Sequence, residues 1–103
     1  EANYSNAHGT PWVYRERGIG SIVGMPVPGT MTSVNWETLQ DASMYFGIPV
    51  VGYRTKDGKY LENTQLEPDL KVRNDYDQVI DGRDQQLEVA VKELLRQIDA
   101  RRR

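Results

Sequence analysis

The stretch FGIPVVGYRTKDGKYLEN, residues 46–63, decides the fold class. Two runs rich in β-branched and aromatic residues, Ile48 to Thr55 and Lys59 to Leu61, flank the dipeptide Asp57-Gly58. That dipeptide tolerates the positive φ of a tight turn, so the spacing predicts a β-hairpin. Just upstream, MTSVNWETLQ sets Val34, Trp36 and Thr38 against Asn35 and Glu37, the alternation of a half-exposed strand. Just downstream, LEPDLKV reads as a short extended piece, entered at Pro68, with Leu70 and Val72 on one face.

Further out the period changes to that of helices. Leu87, Val91, Leu94, Leu95 and Ile98 fall on one stripe of a helix from about Arg83 to Arg101, capped by Asp81 or Asp84. Burial of that stripe is too little to order the helix alone, so it should dock on the rest of the chain. At the other end, Trp12, Val13 and Tyr14 lie between Thr10-Pro11 and Gly18, an opening and a stop that fit a short helix over His8 to Arg17. IGSIVGMPVPG then reads as a buried strand broken by Pro26, Pro28 and Gly29 into a rigid loop. Strands and helices mixed in this order imply an α/β or α+β unit.

The 103 residues suffice for one domain at most. Without cysteine there is no disulfide, thiolate nucleophile or cysteine metal site. Thirteen Lys and Arg against fifteen Asp and Glu leave a net charge of −2, which argues against nucleic acid as a partner. The one basic cluster, Arg101-Arg102-Arg103, reads as the solvated end of the last helix. No apolar leader and no run of about 18 apolar residues occurs, so neither a signal peptide nor a membrane span is expected in this stretch. Zinc, phosphate-loop and dinucleotide patterns do not occur, and Asp57, Asp75, Asp77, Asp81 and Asp84 lack calcium-loop spacing. Trp12, Trp36, Tyr45, Phe46 and Tyr53 read as core.

Chemistry enters with ANYSNAHGTP, residues 2–11. Ser5 stands at the mouth of a helix, where a hydroxyl either caps the unpaired N–H groups or acts as a nucleophile beside them. The stretch leaves both readings open. His8, the one histidine, lies in the first helical turn, where its side chain points along the helix rather than in front of Ser5. That placement suits a polar residue of the helix start better than a general base.

Three segments together resemble the tail-specific, or C-terminal-processing, serine peptidases, and among them the tricorn-like branch. NYSNAH, residues 3–8, resembles the strand-to-helix junction that carries the family's nucleophile. GIGSIVGMPVPGT, residues 18–30, is similar to the Gly-rich strand and turn that follow, and DGKYLENTQLEPDLKV, residues 57–72, to the branch's hairpin and Glu-Asn element. The resemblance runs over roughly residues 2–98 and rests on the order and spacing of the segments. Thr30 stands where the lysine-using members carry their base, and a neutral hydroxyl cannot serve as one.

The resemblance implies an α/β, crotonase-like domain, a layered sheet with helices, of which residues 1–103 would form the C-terminal portion with a β-hairpin and long terminal helix. It implies a cofactor-free serine endopeptidase with a Ser-His-Ser-Glu site acting on peptide or protein substrates. On that match Ser5 is the nucleophile, Asn6 gives a backbone N–H to the oxyanion hole, and Glu62 is the acidic member. The histidine and second serine lie upstream of the nucleophile in the family, so this stretch alone should be inactive. The rival expectation is a non-catalytic peptide-binding or interaction module that keeps the fold. A homo-oligomer is compatible with either, and the branch leans toward the bacterial cell envelope or periplasm.

Overall fold

The computed structural model describes residues 3–102, so Arg103 of the basic cluster lies outside the described residues. The chain runs α1 (Asn6–Glu16), β1 (Val23–Gly24), β2 (Thr32–Thr38), β3 (Tyr45–Gly52), β4 (Leu70–Lys71), α2 (Tyr76–Ile80) and α3 (Gln85–Arg101). This is a mixed α/β arrangement. Helix α1 begins at Asn6, two residues before the sequence places it, so Pro11 sits in the second turn and denies the Ala7 carbonyl its i+4 donor. Its end is the predicted one: Gly18 takes φ +59°, Gly18 N–H donates to Arg15 O, and Ile19 N–H reaches back to Tyr14 O. That paired closure is a Schellman motif, which favours glycine because of the positive φ.

The hairpin differs from the one the sequence predicts. Strand β3 pairs with β2, antiparallel, from Thr32↔Gly52 to Thr38↔Tyr45, with Val50 bulged out between the partners of Ser33 and Val34. The Asp57-Gly58 turn forms, with Gly58 at φ +79° and Thr55 N–H donating to Lys59 O. Beyond it only the Arg54↔Tyr60 bridge holds the two runs together. The β2–β3 reversal has no glycine to announce it; Asp41 Oδ1 instead accepts from the Ser43 N–H and hydroxyl at 3.0 and 2.7 Å. An Asx turn of that kind leaves a faint mark in a sequence.

IGSIVGMPVPG, expected as a buried strand, forms only the two-residue β1, with Ile19 exposed and Val27 its one buried hydrophobic residue, and it pairs with the extended piece in LEPDLKV. β1 lies parallel to β4, Val23 against Leu70, and Val27 bridges Leu66 further along. Asp69 fastens the junction by accepting the Ile22 N–H at 2.7 Å and pairing with Arg15 of α1 at 3.2 Å. Val27, Met31, Leu61 and Leu66 are the buried hydrophobic residues of the described chain, so the core sits where the 25–31 and 61–66 segments meet.

Two burial expectations are corrected. Trp36, Tyr45, Phe46 and Tyr53 are exposed rather than core, because β2 and β3 form a two-stranded sheet with no described layer over either face; Trp12 is half-buried. Helix α3 is capped by Asp84, which accepts the Leu87 N–H, and does dock on β1. It docks through Gln86, Ala90, Glu93 and Gln97, with Gln97 donating to Ser21 Oγ and Gln86 to the Val72 carbonyl. The stripe of Leu87, Val91, Leu94, Leu95 and Ile98 stays exposed, since a two-residue strand offers nothing wide enough to cover it. The radius of gyration, 18.2 Å, agrees with so much open apolar surface; a packed domain of this length has about 13 Å.

Candidate active site

Ser5 is held in a conformation that serine seldom adopts. Its φ and ψ are 52° and −116°, and the Ala7 N–H donates to Tyr4 O across it at 3.0 Å. Those are the torsions of the first central position in a type II′ turn, where glycine is the usual residue. A side chain there stores of order 1–3 kcal/mol of strain. Its hydroxyl makes no capping hydrogen bond to the helix, so the capping reading does not hold. The II′ turn leads straight into α1, presenting a half-buried hydroxyl at the helix mouth.

Asn6 is the first helical residue. The turn's N–H groups at Ala7 and His8 donate to Tyr4 and Ser5 carbonyls, which leaves the Asn6 N–H as the first-turn donor outside those bonds. It lies one peptide from Ser5 at the positive end of the helix dipole, where a developing negative charge is favoured.

Ser5 opens onto a groove of about 470 Å³. Tyr4, Thr30, Thr32, Ser33, Val34, Trp36 and Gly47 line it together with Ser5. Thr30 therefore shares one groove with Ser5.

Glu62 reaches the segment that leads into β2. Its Oε2 accepts the Met31 N–H at 2.7 Å and the Thr32 hydroxyl at 2.6 Å. The Thr32 hydroxyl above all, then the Met31 N–H, hold this carboxyl below the usual carboxylate range against partial burial, and the nearby His8 adds to the effect. Asn63, at φ +59°, donates its N–H to the Gly29 carbonyl. A Cβ on Gly29 would stand 2.5 Å from Thr64 N, so only glycine lets the two turns touch. Ser5 and Glu62 are thus both joined to one segment, residues 29–32, Ser5 through the groove it shares with Thr30 and Thr32, and Glu62 through its hydrogen bonds to Met31 and Thr32.

His8 is the one fully buried side chain of those described, and neither ring nitrogen has a hydrogen-bond partner. It lies in the first turn of α1, as the sequence places it, but as a buried side chain that is not among the residues lining the groove at Ser5. Next to it, Gly9 packs directly on Met31, whose Cε would be 2.7 Å from a Cβ there.

Sequence reasoning overlooked Met31 and Thr32 as the donors that fix Glu62. A backbone N–H carries no residue signature, and a threonine inside a strand reads as strand propensity. Among the described residues no cluster of three or more His, Cys, Asp or Glu could hold a metal ion, and no helix is long and apolar enough to cross a membrane.

Comparison with curated proteins and with solved structures found no match. Residues 1–72, the part of the chain that holds Ser5, the 29–32 segment and Glu62, match the profile of peptidase family S41. That match spans well over half of the 103 residues, and the chain belongs to peptidase family S41, a family of serine peptidases.

Proposed function

We propose that this chain contributes the nucleophile side of a serine endopeptidase site of the tricorn-like kind, carried on the C-terminal portion of a crotonase-like domain. The observation that carries the reading is the backbone of Ser5. Its strained II′ torsions place an uncapped serine in the lining of a groove at a helix mouth, the logic of a nucleophile elbow.

Ser5 Oγ attacks the carbonyl carbon of a peptide bond laid in the groove, its proton passing to a general base as the new C–O bond forms. The carbonyl oxygen becomes an oxyanion, which the Asn6 N–H and the helix N-terminus stabilise. Collapse expels the amine, which takes up that proton, and leaves an acyl ester on Ser5. Water then hydrolyses the ester by the same route. Burial outside the groove lining favours a structural place for His8, and in this reading the histidine and the second serine of a Ser-His-Ser-Glu site come from outside these 103 residues. Glu62, kept ionised by Thr32 and Met31, acts as a positioning residue that orients the base.

The test is covalent. A fluorophosphonate probe should label the complete protein at Ser5, with labelling lost in Ser5→Ala; equal labelling of both would remove Ser5 from the role.

A further inference from the structure

The groove that Ser5 lines is part polar and part apolar. The hydroxyl residues Thr30, Thr32 and Ser33 share its lining with Tyr4, Val34 and Trp36. No lining side chain carries a charge at neutral pH. The apolar part of the groove has a built floor at Trp36 and Gly47. Trp36 stands opposite Gly47 in the strand register, and a Cβ on Gly47 would come within 3.0 Å of the indole and 3.2 Å of Val34 Cγ2. The missing side chain lets the indole lie against β3 instead of projecting across the groove. Tyr45 braces it edge-on, ring centroids 5.3 Å apart at 78°, yet Trp36 remains 65% exposed. An aromatic braced on one side and open on the other suits stacking against another side chain.

We propose that the Trp36–Gly47 floor is a specificity subsite, which receives a bulky uncharged side chain, aromatic or branched aliphatic, from the peptide whose scissile bond lies at Ser5. This rests on the peptidase reading above. Ser5 and Trp36 line the same groove, so a peptide laid across Ser5 brings a neighbouring side chain to the indole, which supplies its contact area. A carboxylate or ammonium there would lose water and meet no counter-charge in the groove lining, which costs far more than an apolar group of the same size. The floor therefore selects by exclusion as much as by attraction.

The complete protein should be assayed on fluorogenic peptides that differ at one position, Phe, Leu, Asp or Lys, moved stepwise across the cleaved bond. At one position, Phe and Leu should exceed Asp and Lys in kcat/KM by at least about tenfold. Trp36→Ala and Gly47→Val should each shrink that ratio, and Trp36→Phe should restore most of it. Equal losses on all four peptides, or preference for a charged one, would overturn the proposal; circular dichroism of each variant guards against misfolding. Anisotropy binding of the same peptides to Ser5→Ala separates this failure from that of the peptidase reading. A protein that resists the fluorophosphonate probe but binds Phe over Asp through Trp36 keeps the subsite and loses the chemistry. A labelled protein with no Trp36-dependent preference keeps the chemistry and loses the subsite.

Discussion

The Thr32 hydroxyl donates to Glu62 Oε2 at 2.6 Å, joining the first residue of β2 to a turn thirty positions later. Met31 N–H reaches the same oxygen at 2.7 Å. Because the two donors are successive residues, the carboxylate fixes backbone and side chain of the segment that brings Thr30 and Thr32 into the Ser5 groove. Position is what Glu62 contributes.

Both donors favour the charged form, so the folded-state pKa of Glu62 lies below its unfolded value. Its contribution to stability is therefore fully present above the unfolded pKa and lost as pH falls through the folded one. Glu62→Gln should destabilise the chain at pH 7 and progressively less on acidification. Urea unfolding at pH 7 and at stepwise lower pH checks this, and a pH-independent difference between the two proteins would contradict it.

Gly29 is set by contact, since its Cβ would stand 2.5 Å from Thr64 N and 2.8 Å from Asn63 C. Both neighbours are backbone and cannot swing aside. Gly29→Ala should cost about 1–3 kcal/mol, as overpacking does, and disturb the Glu62 contacts with it. Gly18→Ala is the contrast: φ +59° and open space around it predict about 1 kcal/mol from backbone conformation alone. Denaturant midpoints should rank the two in that order.

What the sequence reveals here is local chemistry, and what it conceals is cover. The Gly18 stop, the Asp84 cap and the Asp57-Gly58 turn are legible because each depends on a residue's own torsions or side-chain reach. The strand around Val34 and Trp36 is equally legible and forms, although its burial does not alternate. Pairing of β3 with β2 is not, because the Asx turn at Asp41 gives a weaker signal than Asp57-Gly58. The stripe on α3 and the aromatics of β2 and β3 mislead for one reason: periodicity tells which face is apolar, not whether anything covers it. At the site, Ser5, Asn6 and Glu62 are named by resemblance, whereas Thr32, Met31 and Gly29 emerge only from geometry.

His8 places two unpaired ring nitrogens in the interior. A buried polar group without a partner costs about 1–3 kcal/mol, and replacement by an apolar side chain of similar size removes that penalty. His8→Leu should raise stability by an amount in that range, seen as a higher melting temperature. His8→Ala should lower it, because the cavity left behind outweighs the relief. A destabilised His8→Leu would mean that the imidazole has a partner under the conditions of measurement.

Ser5 offers the sharpest separation of stability from chemistry. Its φ of 52° and ψ of −116° suit glycine, so Ser5→Gly relieves about 1–3 kcal/mol of backbone strain. The greater freedom of glycine in the unfolded chain gives back about 0.5–1 kcal/mol. A net gain of about 1 kcal/mol should remain. Ser5→Ala retains Cβ and the strain, so its stability should stay within about 0.5 kcal/mol of the parent. Both substitutions remove the hydroxyl, and probe labelling at this position should vanish in each. Thermal unfolding of the three proteins, read beside labelling, then distinguishes a serine kept strained for its reaction from one that merely starts a helix. The first gives glycine more stable than alanine with both unreactive; the second gives no gain from glycine, because an ordinary cap has no positive φ to relieve.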